Sequence, residues 1–385
     1  MKKMNTRRKF LQLGASMSLS SMLAACGGED ARAESASFPA SASGATASTP
    51  ENNSTIWRMP DEAEPHIATW MAFVANANVW GPELATPVKN TLAKIANAIV
   101  QFEPVNMLVN ANDYALAKQK LDPRVTLHIA ELDDLWIRDT GPVFVKNSRG
   151  EQAGVHFNFN GWGKKQSYQR DAGIAKKVCE LSGRALLNTH LVLEGGGIEV
   201  DGKGTAIITE SCVLNPNRNP GLSKASCEAE LKKLLGIQKV IWLPGIAGKD
   251  ITDGHTDFYA RFASPGVVIA GLEHDPASYD YAITRRHLDI LKKSTDANGN
   301  ALKVLVLDAP SKIRPEYESK EFAAGYINFY VVNNAVIMPE FGDPETDALA
   351  KATLEQAFPS RRVIALNIDP ISAGGGGIHC ATQQQ

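Results

Sequence analysis

The chain has no CxxC pair, no HExxH and no Cys/His cluster at metal-ligand spacing, so a metal site is not expected. No glycine-rich phosphate fingerprint follows a strand, which argues against a nucleotide-binding doubly wound sheet. The chain also lacks a basic excess. Its formal charge is −2, and setting aside the five positive residues Lys2, Lys3, Arg7, Arg8 and Lys9 takes the remainder to −7. Nothing there would neutralise a phosphate backbone, so nucleic acid is not an expected partner. The apolar run from Phe10 to Ala25 is too short and too polar to cross a bilayer of ~30 Å as a helix.

What the N-terminus does contain is a basic start, a short apolar stretch and a small-residue ending, the three parts of an export signal. Arg7 and Arg8 followed by Phe10 and Leu11 resemble a twin-arginine signal, and Leu23-Ala24-Ala25-Cys26 resembles a lipobox. Residues 1–25 are therefore expected to be a leader, with Cys26 the lipidated end. Residues 26–55, almost all Ala, Ser, Thr, Gly and Pro from 31 onward, are expected to be a disordered tether. The expected location is periplasmic or at the cell surface, with the membrane met only through the lipid. Folding arguments start at Ile56 and run to residue 385. Cys179, Cys212, Cys227 and Cys380 remain, an even number that an exported protein can pair as disulfides.

Helical periodicity recurs near 86–101, 171–182, 222–236, 276–293 and 344–358, each helix accompanied by two or three strand-like runs. One such run covers 256–262. Five units with strands outnumbering helices do not fit a single βαβ ladder. They suggest a repeated α/β module, closed radially, with an open doubly wound sheet as the alternative.

Four polar clusters flanked by glycine interrupt this pattern, in the loops where chemistry is usually displayed. They are Trp136-Ile137-Arg138-Asp139-Thr140-Gly141-Pro142, Glu194-Gly195-Gly196-Gly197, Asp253-Gly254-His255-Thr256-Asp257, and residues 373–380, which end Gly377-Ile378-His379-Cys380. Each has a plain reading alone. Asp139 can cap a turn, Glu194 can end a strand, His255 and Asp257 can be a solvated pair, and Cys380 can be a small buried hydrophobe. In extended chain, His255 and Asp257 at i and i+2 share a face. Four consecutive glycines are entropically costly and suit a backbone that must approach a ligand closely.

Together the clusters supply a thiol, an imidazole and three carboxylates. Cys with His is the thiol-nucleophile arrangement. A protease needs one group to orient its His and an oxyanion hole, and three carboxylates would repel an oxyanion. They favour a planar cation with several N–H donors, which describes guanidinium.

The segments WIRDTGP, EGGGIEVDGKGT, TESCVLNPNRNP, DGHTD, INFYVVNNAVIMPEFGD and GGGGIHCATQQ, in that order, resemble the agmatine deiminase and bacterial peptidylarginine deiminase family. The resemblance implies an α/β fold, a five-bladed α/β propeller (pentein) of repeated ββαβ-type modules with pseudo-fivefold symmetry. It implies Cys380 as nucleophile, His255 as general acid/base, and Asp139 and Asp257 as guanidinium clamps. Glu194 would join their polar network, with Trp136 lining the pocket and Gly377 at the substrate. The implied reaction converts agmatine to N-carbamoylputrescine and ammonia, a step toward putrescine, through a covalent thiouronium and without a cofactor. Peptidyl-arginine is the alternative substrate; an amidinotransferase and a non-catalytic guanidinium-binding lipoprotein are the other classes. Implied partners are a small cationic guanidinium compound and at most a second copy of the chain. The chain departs from the family pattern at Ile251 and Phe258, where many agmatine deiminases carry an acidic residue and an asparagine. That departure bears on a substrate's distal group, not on the thiol chemistry.

Overall fold

The structure is a computed structural model that describes residues 56–385. The leader, the tether and Cys26 lie outside the described residues. One strand grammar is used five times. An antiparallel pair is followed by a helix and then by a third strand, parallel to the second. In chain order, Val143–Asn147 and Gln152–His156 pair antiparallel, helix Ile174–Ser182 crosses over, and Ala185–Asn188 joins in parallel. The next unit uses Ile198–Val200, Thr205–Thr209, helix Lys224–Leu235 and Lys239–Leu243. Ala260–Ser264, Val267–Leu272, helix Tyr281–Lys293 and Lys303–Asp308 form the third. Tyr330–Val332, Ala335–Glu340, helix Pro344–Ala357 and Arg362–Asn367 form the fourth.

The fifth unit joins both ends of the described chain. Gln383–Gln384 pairs antiparallel with Thr69–Phe73, which continues through helix Ala77–Ile99 to the parallel strand Val105–Val109. Trp70 Nε1 donates to Gln385 Oε1 at 2.9 Å, fastening that seam. Five separate sheets result, two of them widened to four strands by Trp57–Arg58 and Thr126–Ile129.

Local sequence explains the elements. The second strand of each unit is covered on both faces, so TWMAF and TAIIT read as continuous buried runs instead of alternating ones. Helix Tyr281–Lys293 buries Ile283, Thr284, His287, Leu288 and Leu291, one stripe of a 3.6-residue period. Helix Lys224–Leu235 starts where Ser223 accepts from the Ser226 N–H and stops at Gly236, which adopts φ 70°. All five expected helices are present. The first begins earlier than expected, at Ala77, because the stretch before Pro87 is helical apart from Gly81 at φ 75°. The expected strand over 256–262 is corrected. Thr256–Phe258 is a single 3-10 turn and the strand starts at Ala260. Cys179, Cys212, Cys227 and Cys380 are all buried free thiols, so the four do not pair.

Between the units lies a buried charge hub. Glu62 Oε1 accepts from Arg261 Nη2 at 2.7 Å and from the Val331 N–H at 2.9 Å. Its Oε2 accepts from Arg138 Nη2 at 3.2 Å and lies 2.9 Å from His379 Nε2. Arg261 also donates to Glu199 at 2.8 Å and to the Phe329 carbonyl at 2.8 Å, and Arg138 donates to Gln384 Oε1 at 2.7 Å. Burial alone would raise the Glu62 carboxyl, but Arg261 first, with His379 and Arg138, holds it well below the usual carboxylate range. Its ionised form is therefore favoured by folding at neutral pH, and that contribution is lost only as pH falls through the depressed value. Removing one partner from a buried ion pair leaves the other charges uncompensated. Glu62→Gln is expected to lower unfolding free energy by about 3 kcal/mol or more in denaturant titration. An unchanged midpoint would mean the hub contributes nothing to stability.

Candidate active site

The four glycine-flanked clusters meet in one buried site. Asp139 lies on the short helix Ile137–Thr140, next to the hub residue Arg138. Its Oδ2 accepts from Trp162 Nε1 at 2.9 Å and its Oδ1 from the Gly196 N–H at 3.1 Å. Trp162 reaches it from a backbone with φ 54°, a left-handed conformation rare for a bulky residue and concentrated at functional loops. The Phe159 ring, 5.0 Å away and edge-on, packs beside that indole.

Asp257 does not share an extended face with His255 as the i, i+2 spacing suggested. His255 caps the turn that contains Asp257, and both side chains reach the site from there. Asp257 Oδ2 lies 2.8 Å from His379 Nδ1 and 3.5 Å from Cys380 Sγ. Its Oδ1 is buried with no hydrogen-bond partner among the described residues. An unpaired buried carboxylate oxygen costs free energy unless something donates to it.

His255 sits between two carboxylates, with Nε2 3.4 Å from Glu194 Oε2 and Nδ1 3.8 Å from Asp139 Oδ1. Glu194 is itself fixed by Arg218, whose Nε lies 2.9 Å from each carboxylate oxygen. Burial opposes a charge on His255, but Asp139 leads a group including Cys212 and Glu194 that pulls it well above the ordinary histidine value. Burial likewise pushes Asp139 up, while His255 works against that. Burial opposes charge on Asp257 too, yet His379, ahead of His255 and Arg261, holds it below its usual value. Burial pushes the Cys380 thiol far up, and Asp257 and Asp139 push the same way.

Gly196 lets the backbone pass hard against these groups. A Cβ on that residue would lie 2.6 Å from His255 Nδ1, 2.9 Å from Asp139 Oδ1 and 3.2 Å from Asp257 Oδ2. The glycines before Cys380 are packed as closely. A Cβ on Gly374 would meet the Trp80 ring at 2.1 Å, on Gly376 the Trp136 ring at 2.3 Å, and on Gly377 the Asn328 Oδ1 at 2.4 Å. These close approaches are to side chains of the protein. Trp136 is held by a bond from its Nε1 to Asp134 and stands 5.8 Å from Trp80.

Glu194, Cys212 and His255 form a group whose potential ligand atoms lie within 4.8 Å of one another. Arg218 already takes both oxygens of Glu194, and its cation would oppose a metal ion there.

Sequence reasoning placed Cys380, His255, Asp139, Asp257 and Glu194 in one site, and the structure brings them together. It missed Trp162, Arg218, Gly196 and His379 as individual residues. Two of these had signals. Trp162 stands in the aromatic, glycine-rich FNFNGWG, and Arg218 in NRNP, both polar interruptions next to buried strands.

A family model described as Porphyromonas-type peptidyl-arginine deiminase matches residues 58–385. A Streptomyces coelicolor protein provisionally named agmatine deiminase is 42% identical over 336 residues, covering 86% of this chain and 98% of its own length. The agmatine deiminase of Pseudomonas aeruginosa is 38% identical, with 86% and 95% covered. Among solved structures, the agmatine deiminase of Enterococcus faecalis superposes with a TM-score of 0.81 at 35% identity, covering 87% of this chain and 98% of that one. With nearly the whole described region matched and its chemistry-bearing groups assembled in one buried site, the chain belongs to the Porphyromonas-type peptidyl-arginine deiminase family.

Proposed function

We propose that the protein hydrolyses agmatine to N-carbamoylputrescine and ammonia, with Cys380 as the nucleophile. The observation that carries this is a buried cluster of Asp139, Asp257 and His255 beside a thiol, with the Asp257 Oδ1 acceptor unpaired. A guanidinium supplies the missing donors. Names of relatives such as the Pseudomonas aeruginosa and Enterococcus faecalis enzymes support agmatine as its source. Ile251 and Phe258 pack against the apolar cluster that contains Trp136, Trp162 and Cys380, which suits a methylene chain.

Before substrate binds, the thiol is held protonated by burial and by two carboxylates. A cation bound ~4 Å away at an effective dielectric of ~20 favours the thiolate by about 4 kcal/mol. Substrate thus activates the nucleophile that attacks it, the thiol proton passing to solvent as the cation enters. The thiolate adds to the guanidinium carbon, and the carboxylates of Asp139 and Asp257 hold the charged nitrogens in place. His255, protonated at the outset, delivers its proton to the departing amino group, which leaves as ammonia. The neutral imidazole then takes a proton from water as the oxygen attacks the thiouronium carbon. The carbon–sulfur bond breaks as the new hydroxyl passes its proton to the departing sulfur, so the neutral ureido product leaves and the Cys380 thiol is restored.

The five modules are best arranged as blades of a propeller around the Glu62 hub. The repeated strand grammar supports this, as do hub contacts from Glu199, Arg261, Val331 and Gln384, which belong to four different modules. Residues 1–25 serve as an export leader, Cys26 carries lipid, and residues 26–55 tether the domain to the membrane.

Three outcomes test this reading. Ureido product should form from agmatine in preference to free arginine or an arginine-containing peptide, and Cys380→Ser should abolish it with the melting temperature unchanged. Preference for the peptide would make peptidyl-arginine the substrate, and activity in the Ser variant would move the nucleophile. Gly196→Ala should lower kcat/KM by ~10²-fold or more, since its methyl would push His255 and Asp139 out of place. Near-normal kinetics would show that the placement of His255 and Asp139 does not set the rate. Mass spectrometry of membrane-derived protein should find lipid on Cys26, and Cys26→Ser should lose it while retaining full activity. An unmodified N-terminus upstream of Cys26 would refute the anchor.

A further inference from the structure

Asn328 belongs to the segment INFYVVNN, to which the chemistry above gives no role, yet it is fully buried against the nucleophile. It bonds to both loops that carry the reacting groups. Its Oδ1 accepts from the Cys380 N–H at 3.3 Å and lies 3.5 Å from Cys380 Sγ. Its Nδ2 donates to the Asp257 carbonyl at 3.4 Å. Its own backbone carbonyl accepts from the His379 N–H at 3.1 Å.

The two ends of this amide are not interchangeable. A backbone N–H on one side needs an acceptor, and a backbone carbonyl on the other needs a donor. A flipped amide would set donor against donor and acceptor against acceptor, so the surroundings choose the orientation. The oxygen is therefore the atom presented to the thiol. Gly377 keeps the contact close, because any Cβ there would overlap Asn328 Oδ1 at 2.4 Å. No other side chain of the described site bonds to the backbone of both the Cys380 and Asp257 loops.

We propose that Asn328 is a positioning residue that sets the separation and direction of Cys380 Sγ relative to the Asp257 clamp. It touches neither the departing ammonia nor the attacking water, and no proton passes through it. A thiol free to swing by about 1 Å remains a thiol, but it no longer points at the clamped carbon, and misplacement on that scale costs ~10²-fold in rate. This proposal rests on Cys380 being the nucleophile and Asp257 a guanidinium clamp.

The test separates position from reactivity. Asn328→Ala is expected to lower kcat for agmatine by ~10²-fold while KM changes by less than about threefold, since both clamp carboxylates remain. Alkylation of Cys380 by iodoacetamide in the absence of substrate should stay within about threefold of the unsubstituted enzyme, because that reagent needs no fixed approach to the clamp. An unchanged kcat would overturn the proposal. So would alkylation falling in step with kcat, which would make Asn328 a determinant of thiol ionisation instead. Should Asn328→Ala fail to fold, the crystal structure of Cys380→Ser with agmatine decides. Asn328 bridging residue 380 and the Asp257 carbonyl, clear of the ligand, supports the proposal, and an amide hydrogen-bonded to the guanidinium refutes it. Failure of the function reading looks different. The unsubstituted enzyme would then form no ureido product, while alkylation would still report on the thiol.

Discussion

The Glu62 carboxylate is the constraint on which the rest of the structure depends. Both its oxygens are occupied, by two arginines, a backbone N–H and the imidazole of His379. His379 then carries the connection onward to Asp257 Oδ2. The arrangement that joins these distant segments therefore also fixes one of the two carboxylates proposed to grip substrate. A buried hub of this kind is weak evidence for stability as such, since an apolar replacement of similar volume is often as stable. Here it has a further consequence. It leaves one Asp257 oxygen tied and the other unpaired, an asymmetry that an apolar core could not impose.

The same economy of charge runs through the site. Asp139, Asp257 and Glu194 are buried around His255, His379 also meets Asp257, and only Glu194 has an arginine of its own. The site is left short of positive charge, and the thiol beside it is suppressed. A neutral ligand does nothing to relieve either condition, while a guanidinium relieves both at once. Specificity for a cation and activation of the nucleophile are then one electrostatic event.

How much of this was legible in the sequence follows from the range of each interaction. The five helices were legible because a 3.6-residue apolar period is written within a dozen residues, as in Ile283, Leu288 and Leu291. Cys380, His255, Asp139, Asp257 and Glu194 were legible because glycine-flanked polar clusters interrupt that period, and their resemblance to family motifs assigned them roles. The turn at Thr256–Phe258 was not, since apolar residues near a strand boundary obey strand and turn patterns equally well. The hub was least legible of all. Glu62, Arg138, Arg261 and His379 lie far apart in the chain, and each alone reads as a solvated charge. Only the register of five sheets brings them together.

The glycine run before Cys380 joins these strands of argument. Four glycines in a row suggest a flexible loop, or one that a ligand must approach. Three of them instead abut Trp80, Trp136 and Asn328, at distances no Cβ would permit. The segment is pressed between side chains on the way to the nucleophile, and beyond Cys380 it enters the seam formed by Gln383–Gln384 and Thr69–Phe73. The unfolded chain's extra freedom at these glycines is a cost of folding. Close packing of these glycines and the strand pairing beyond Cys380 offset it, and together they hold the proposed nucleophile on both sides. The proposed attack of this thiol on a carbon held by carboxylates from two other loops requires that rigidity, and residues with side chains could not have been packed so tightly there.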